Sequence, residues 1–312
     1  MTSVHLRWDL VADVQQLLAY HFMVNALRSA TITAVVAGIA GWFMVLRRQT
    51  FVGHTLSVVS FPGAAGALVV GVASGWGYFG LCIAAALVIS AVPYAADRRG
   101  FSGEPAVVGV IQAFALGCGF WFSHLYRGFL SSTLDNLLFG TFLGVTDDQV
   151  LVLGAVAAAA VAALGMIGRP LLFSSVDPSV AAGRGVPVRV LSTAFLVVLA
   201  VAVAEISQIT GALLVFALLV MPPAAAQQLT SRPSTGLALS VILGVVVVWL
   251  GVGVSYFSAY PTGFFITTFG FIAYVGAVVA NRARARWGRH RTRWGRRRTR
   301  PRAAEPATAV AR

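Results

Sequence analysis

The chain has 312 residues, 58% of them hydrophobic and 11% charged, with a mean hydropathy of +0.83 and a formal net charge of +13. That composition excludes a soluble globular domain. Apolar runs of about 20 residues recur along the chain, each long enough for one bilayer crossing, so the fold class is an all-α, polytopic helical membrane protein. The charge is unevenly placed: residues 282–312 hold 12 of the 23 basic residues and one acid, Glu305, leaving 11 arginines against 9 acids elsewhere. Every basic residue is Arg. A Gly-rich phosphate loop needs a Lys, so that mode of nucleotide binding is excluded. Cys82 and Cys118 fall in apolar segments and read as small packing residues.

Taken in order, residues 5–20 alternate polar and apolar at helical spacing, as in an amphipathic surface helix. Asp9, Asp13, Gln15 and Gln16 stand where the apolar core of a cleavable signal would lie, so none is expected. Spans are predicted at about 22–46, 54–74, 76–96, 105–125, 148–168, 188–206, 210–229, 235–257 and 262–281. The eight or nine transmembrane helices thus fill residues 22–281, between an amphipathic segment at 1–21 and an Arg-rich, disordered cytoplasmic tail at 282–312. Residues 128–144 are too short and mixed for a span and read as a surface or re-entrant helix. The apolar stretch from Val188 to Met221 exceeds one crossing, so it requires either a tilted helix or a split into two segments hinged near Glu205 to Gly211.

Charge supports that split. With Arg47 and Arg48 in the cytoplasm, nine spans put Arg98, Arg99, Arg169, Arg184, Arg189, Arg232 and the tail on the same side. The loop at 171–187 then faces the cytoplasm. Within it Asp177-Pro178 is a strong helix start, Asp capping and Pro filling the first turn, and Gly183 and Gly185 stop the helix. Arg282, Arg284, Arg286, Arg296, Arg297 and Arg298 suit anionic lipid headgroups and fix topology, in preference to nucleic acid.

Several stretches, in order over about residues 22–281, resemble the permease subunits of ABC importers for divalent metal cations. The first is Leu46-Arg47-Arg48-Gln49-Thr50-Phe51-Val52-Gly53-His54-Thr55-Leu56-Ser57, leading to Phe61-Pro62-Gly63. Leu138-Phe139-Gly140 follows, then Asp177-Pro178 with Ala181, Gly183 and Gly185. Gly211-Ala212-Leu213-Leu214-Val215 precedes Met221-Pro222-Pro223-Ala224-Ala225-Ala226, and Ser255-Tyr256 precedes Pro261-Thr262-Gly263.

The resemblance implies a multi-pass protein of a prokaryotic plasma membrane that passes zinc or manganese by alternating access. It is not itself an enzyme: ATP is bound and hydrolysed on a separate ABC subunit. An extracytoplasmic solute-binding protein delivers the ion, and two identical permeases pair around the pathway. By the same resemblance, Asp177, Pro178, Ala181, Gly183, Arg184 and Gly185 form the coupling helix that docks into the ATPase. The family's Asp and His, one helical turn apart, correspond here to His54 and Val58, so an acidic ligand has become an imidazole and the imidazole a hydrocarbon. His54 and Ser57 are the pathway candidates, with Glu205 as an entrance ligand. His124, Asp135, Asp147 and Asp148 fall on the predicted outer side, where they could attract a cation or meet a binding protein. The lost ligand pair leaves open a metal chelate of siderophore or cobalamin type as cargo. An ATP-independent secondary transporter or channel is the alternative of another class.

Overall fold

A computed structural model describes residues 19–91, 104–126, 136–258 and 260–298. Its elements are α1 (His21–Leu46), α2 (Thr50–Val69), α3 (Ser74–Ala91), α4 (Glu104–Leu125), α5 (Asp147–Val176), α6 (Pro178–Gly183), α7 (Val188–Leu229), α8 (Pro233–Tyr256) and α9 (Thr262–Arg298), with a 3-10 turn at Phe142–Gly144. Among the described residues, eight helices are long and apolar enough to cross a membrane. The amphipathic segment at 5–20 lies almost wholly outside the described residues, as do Arg98, Arg99 and Asp135.

The 42 residues of α7 would reach about 63 Å if straight, twice a bilayer core. They do not run straight. Gly211 takes φ 73°, ψ 159°, outside any helical region, and divides α7 into two arms. Both arms return to the same end of α1. Arg47, capping α1, donates from Nη2 to Ser192 Oγ at 2.6 Å on the first arm. The Gln227 side chain of the second arm donates to the Trp42 carbonyl at 3.0 Å. The expected split of this region is therefore a reversal on one glycine, inside the predicted hinge.

The other helices alternate in direction around the hairpin. Ser240 donates to the Gly38 carbonyl at 2.8 Å and Trp249 to Thr31 at 2.8 Å, setting α8 antiparallel to α1. α9 follows the second arm: Gly263 lies beside Leu214, Gly270 beside Met221, and Asn281 donates to Gln228 at 3.0 Å. Gly63 and Gly77 bring α2 and α3 into backbone contact; a Cβ on Gly63 would meet the Gly77 carbonyl oxygen at 2.4 Å. Small residues at a crossing let membrane helices approach this closely. Among the described residues, seven helices are long and apolar enough for one crossing, and α7 for two.

One end of the bundle carries Arg47, Arg48, Arg184, Arg189 and Arg232 at helix ends and turns, and Arg284, within α9, donates to the Leu229 carbonyl there at 3.2 Å. By the positive-inside rule this end is cytoplasmic, and the Gly211 reversal is outer.

Three expectations are corrected. The second span begins at Thr50 and ends at Val69, not at 54–74, because Gly71 at φ 78° turns the chain. α5 runs on to Val176, so Leu171–Val176 is helix rather than loop; Leu171 and Ser174 on its inner face are buried. The tail is not disordered from residue 282: α9 continues to Arg298. Alternating Ala and Arg are good helix formers, and the span already supplies the nucleus. Residues 299–312 lie outside the described residues.

Candidate functional site

The cytoplasmic end presents a short, self-capped helix. The Asp177 backbone is extended (φ −145°, ψ 96°), ending α5 and capping α6 in one residue. Its Oδ1 accepts from the Ser179 hydroxyl at 2.6 Å and from the Ser179 and Val180 backbone N–H groups at 3.0 Å each. These bonds, the Ser179 hydroxyl first and then the Val180 amide, hold the carboxyl below the usual carboxylate range. Pro178 occupies the first helical position, as its missing N–H allows. The helix ends at Gly183, and Gly185 at φ 82° turns the chain toward Pro187.

Within α6 Ala181 alone is fully buried and pins the helix to the bundle. Pro178, Ser179, Val180, Ala182, Gly183, Arg184 and Gly185 are exposed. The Arg184 guanidinium sits 5.7 Å from the Phe173 ring centroid on α5. Val176 and Val190 flank the helix at 76% and 66% exposure, apolar groups offered to a surface beyond the lipid.

Arg47 sets this element's mounting. Besides Ser192, its Nη1 donates to Ser175 Oγ at 3.2 Å, and its guanidinium lies 5.5 Å from the Phe195 ring centroid. It thus joins the end of α5 to the start of α7, the two helices that flank α6. The sequence showed Arg47 as a topology signal; its clamp role joins residues 128 and 145 positions away and was invisible there.

Of the three pathway candidates, His54 and Ser57 share one turn of α2, and Glu205 lies apart from them. His54 lies in the second turn of α2, near the cytoplasmic end, with its ring 4.7 Å from that of Phe216 on the second arm. Its Nδ1 is enclosed and has no hydrogen-bond partner among the described residues. Val58, one turn on, is a buried hydrocarbon and offers no second ligand. Ser57 is buried, its hydroxyl donating to the His54 carbonyl at 2.7 Å. Glu205 is on the first arm, near the outer reversal, 1% exposed, with both carboxylate oxygens unpartnered among the described residues. No group of three or more His, Cys, Asp and Glu side chains gathers among the described residues.

The outer end explains two motifs. Gly140 (φ 76°) lies against the reversal, where its Cβ would meet the Ile209 carbonyl oxygen at 2.2 Å, and Thr141 N donates to that oxygen at 2.9 Å. The described part of 128–144 is thus a plug on the hairpin tip. Ser255 and Thr262 share a hydrogen bond at 2.8 Å that closes the turn between α8 and α9.

This arrangement is a multi-pass integral membrane protein with an exposed, self-capped helix on its cytoplasmic side. The chain belongs to the ABC 3 transport family, which matches residues 19–281, and the permease family that the motifs resembled is therefore its own. It is similar to the manganese transport system membrane protein MntC of Halalkalibacterium halodurans, 28% identical over 247 residues (78% of this chain, 80% of the relative). It resembles the manganese import system permease protein ScaB of Streptococcus pneumoniae at 29% identity over 244 residues (78% and 84%). To the chelated iron transport system membrane protein YfeC of Yersinia pestis it is 28% identical over 275 residues (86% and 92%). Among solved structures, PsaBC from Streptococcus pneumoniae in complex with Fab shares the fold at TM-score 0.76 and 23% identity, covering 86% of this chain and 95% of that one. An inward-facing metal-chelate type ABC transporter matches at TM-score 0.68 and 14% identity, covering 88% and 91%.

Proposed function

We propose that this chain is the membrane-spanning subunit of an ATP-driven importer for a divalent transition metal, with manganese ahead of zinc. The observation that carries the reading is the exposed helix Pro178–Gly183, capped by Asp177 and mounted between α5 and the first arm of α7. A helix that satisfies its own cap and points its remaining face away from the bundle is suited to a protein partner, here a separate ABC ATPase. The names of the relatives, two manganese systems among them, support the cargo.

ATP-driven closure of two ATPases would push on α6 in each copy of a permease dimer. Val176 runs directly into Asp177, and Pro187 into Val188, so a push on α6 loads α5 and the first arm together. The Arg47 clamp carries the same load to α1. The cavity between two copies would then open to the other side. An extracytoplasmic solute-binding protein delivers the ion to the outer end. His54 and Ser57 line the pathway from α2, with Glu205 as the outer ligand. Weak binding in the permease suits this role, because a pathway must release what it accepts. The arginines of α9 from Arg282 to Arg298 anchor the cytoplasmic end to anionic headgroups.

The test is growth and metal content of cells lacking this chain, in chelated medium with manganese, zinc and iron restored singly. Manganese alone should rescue. In the same cells Asp177→Arg should abolish uptake and co-purification of the ATPase while the permease accumulates normally; unchanged uptake removes the coupling role. The chelated-iron relative and the missing ligand at Val58 favour one second reading, a metal chelate as cargo. Rescue by a chelate but by no free metal would establish it.

A further inference from the structure

Beneath the outer reversal lies a cavity of about 260 Å³ between α3, α5 and the first arm of α7. Glu205 and Gln208 line it from the arm, Asp148 from the first turn of α5, Thr141 from the plug, and Phe79 and Val152 form apolar wall. Glu205 is 1% exposed and neither carboxylate oxygen has a partner among the described residues. A buried carboxylate left alone is costly, and in a membrane protein such a group is by default a candidate functional site. Apolar walls strengthen the attraction of an arriving cation by lowering the local dielectric.

We propose that this cavity is an oxygen-donor binding site for a hard divalent cation, anchored by Glu205 and approached past Asp148. It is a second site, at the opposite end of the bundle from His54. Three observations shape it. Gln208 follows Glu205 by three residues and so shares its helix face; its amide nitrogen donates to the Ala204 carbonyl at 3.5 Å, which leaves Oε1 as an acceptor. Asp148 is exposed, whereas its neighbour Asp147 is already held by His21 at 2.9 Å and by Asn25 at 3.0 Å. The second carboxylate of the cavity is therefore Asp148.

The donors are carboxylate, amide and hydroxyl oxygens, with no imidazole or thiolate among them. That set suits Mn²⁺, Mg²⁺ or Ca²⁺ better than Zn²⁺. Liquid water takes about 30 Å³ per molecule, so the cavity holds an ion that keeps several waters. Binding is accordingly weak and reversible, as a waiting site on the delivery side requires.

The inference rests on the reading of the chain as a divalent-cation permease, but binding can be measured without transport. The experiment titrates Mn²⁺ into the purified full-length permease in phospholipid nanodiscs and follows the paramagnetic resonance of free Mn²⁺. The wild type should bind Mn²⁺ saturably, with Ca²⁺ competing. Glu205→Gln should weaken binding by about 10- to 100-fold, Asp148→Asn by less, and Asp147→Asn not at all. Wild-type binding in Glu205→Gln overturns the site and makes Glu205 a carrier of a proton alone. Equal losses in Asp147→Asn and Asp148→Asn reduce it to surface charge and overturn it as well. If Glu205→Gln cannot be recovered from the membrane, Asp148→Asn decides, and unchanged Mn²⁺ binding there ends the proposal. Binding lost in His54→Ala but kept in Glu205→Gln overturns the cavity and leaves the importer reading intact.

Discussion

Two glycines with positive φ turn this chain at opposite faces of the membrane, and they could hardly be more differently placed. Gly211 (φ 73°) is buried: a Cβ there would meet Gly140 N at 2.4 Å and the Leu138 carbonyl oxygen at 2.5 Å. Gly185 (φ 82°) has nothing within 4 Å of where its Cβ would be. The outer turn is a packed joint; its exposed backbone is covered by the plug, as non-helical backbone near the bilayer must be. The cytoplasmic turn satisfies itself and keeps its surface free. The first kind of turn is held by packing and the second by its own local hydrogen bonds, with its surface left open.

Substitution at the outer joint should break the fold. Gly211→Val combines a backbone region open essentially to Gly alone with direct overlap on Gly140, together roughly 2–6 kcal/mol. Thermal unfolding of the detergent-purified variant should show a large loss or no folded protein. A wild-type melting curve would mean that the arms do not meet at Gly140. Next in size, Ala181→Leu overpacks the one buried contact of α6 at about 1–3 kcal/mol. The bundle should still fold while ATPase co-purification falls, because the helix is lifted from its seat. If co-purification is unaffected, the seat is unimportant. Gly185→Ala costs only the left-handed backbone, about 1–2 kcal/mol, and uptake at growth temperature should hardly change.

The smallest effect is that of pH on the Asp177 cap. Its folded-state pKa is depressed, so its stabilisation is complete above the unfolded value of about 3.9 and is lost only as pH falls through the lower folded value. Between pH 8 and 5, hydrogen exchange at the Ser179 and Val180 amides, corrected for its intrinsic pH dependence, should be flat. A loss of protection above pH 5 would show that the carboxylate is not the cap.

The contrast between these turns is also a contrast in what could be read early. Asp177, Pro178, Gly183 and Gly185 carry local signals, since capping and turn chemistry act within a few residues. The element found at Pro178–Gly183 is the one those residues imply. Glu205 was singled out as an intramembrane acid, but its isolation, the cavity around it and the part of Gln208 were not visible. His54 and Ser57 share α2 toward the cytoplasmic end and Glu205 lies on α7 toward the outer end, where an entrance ligand was expected. The helical tail to Arg298 was missed because composition was weighed as charge rather than as the continuation of a formed helix.

By itself the sequence determined the membrane class, the cytoplasmic side, the family and the capped helix. All of these follow from composition or from residues a few positions apart. Tertiary structure alone decided that the reversal falls on Gly211, that Gly140 fills it, that Arg47 clamps α5 to α7, and that the buried Glu205 lines a cavity shared with Asp148 and Gln208. Each of these depends on which surfaces pack together between residues tens to over a hundred positions apart. Hydropathy says that a helix is apolar; it does not say which neighbour that helix will meet.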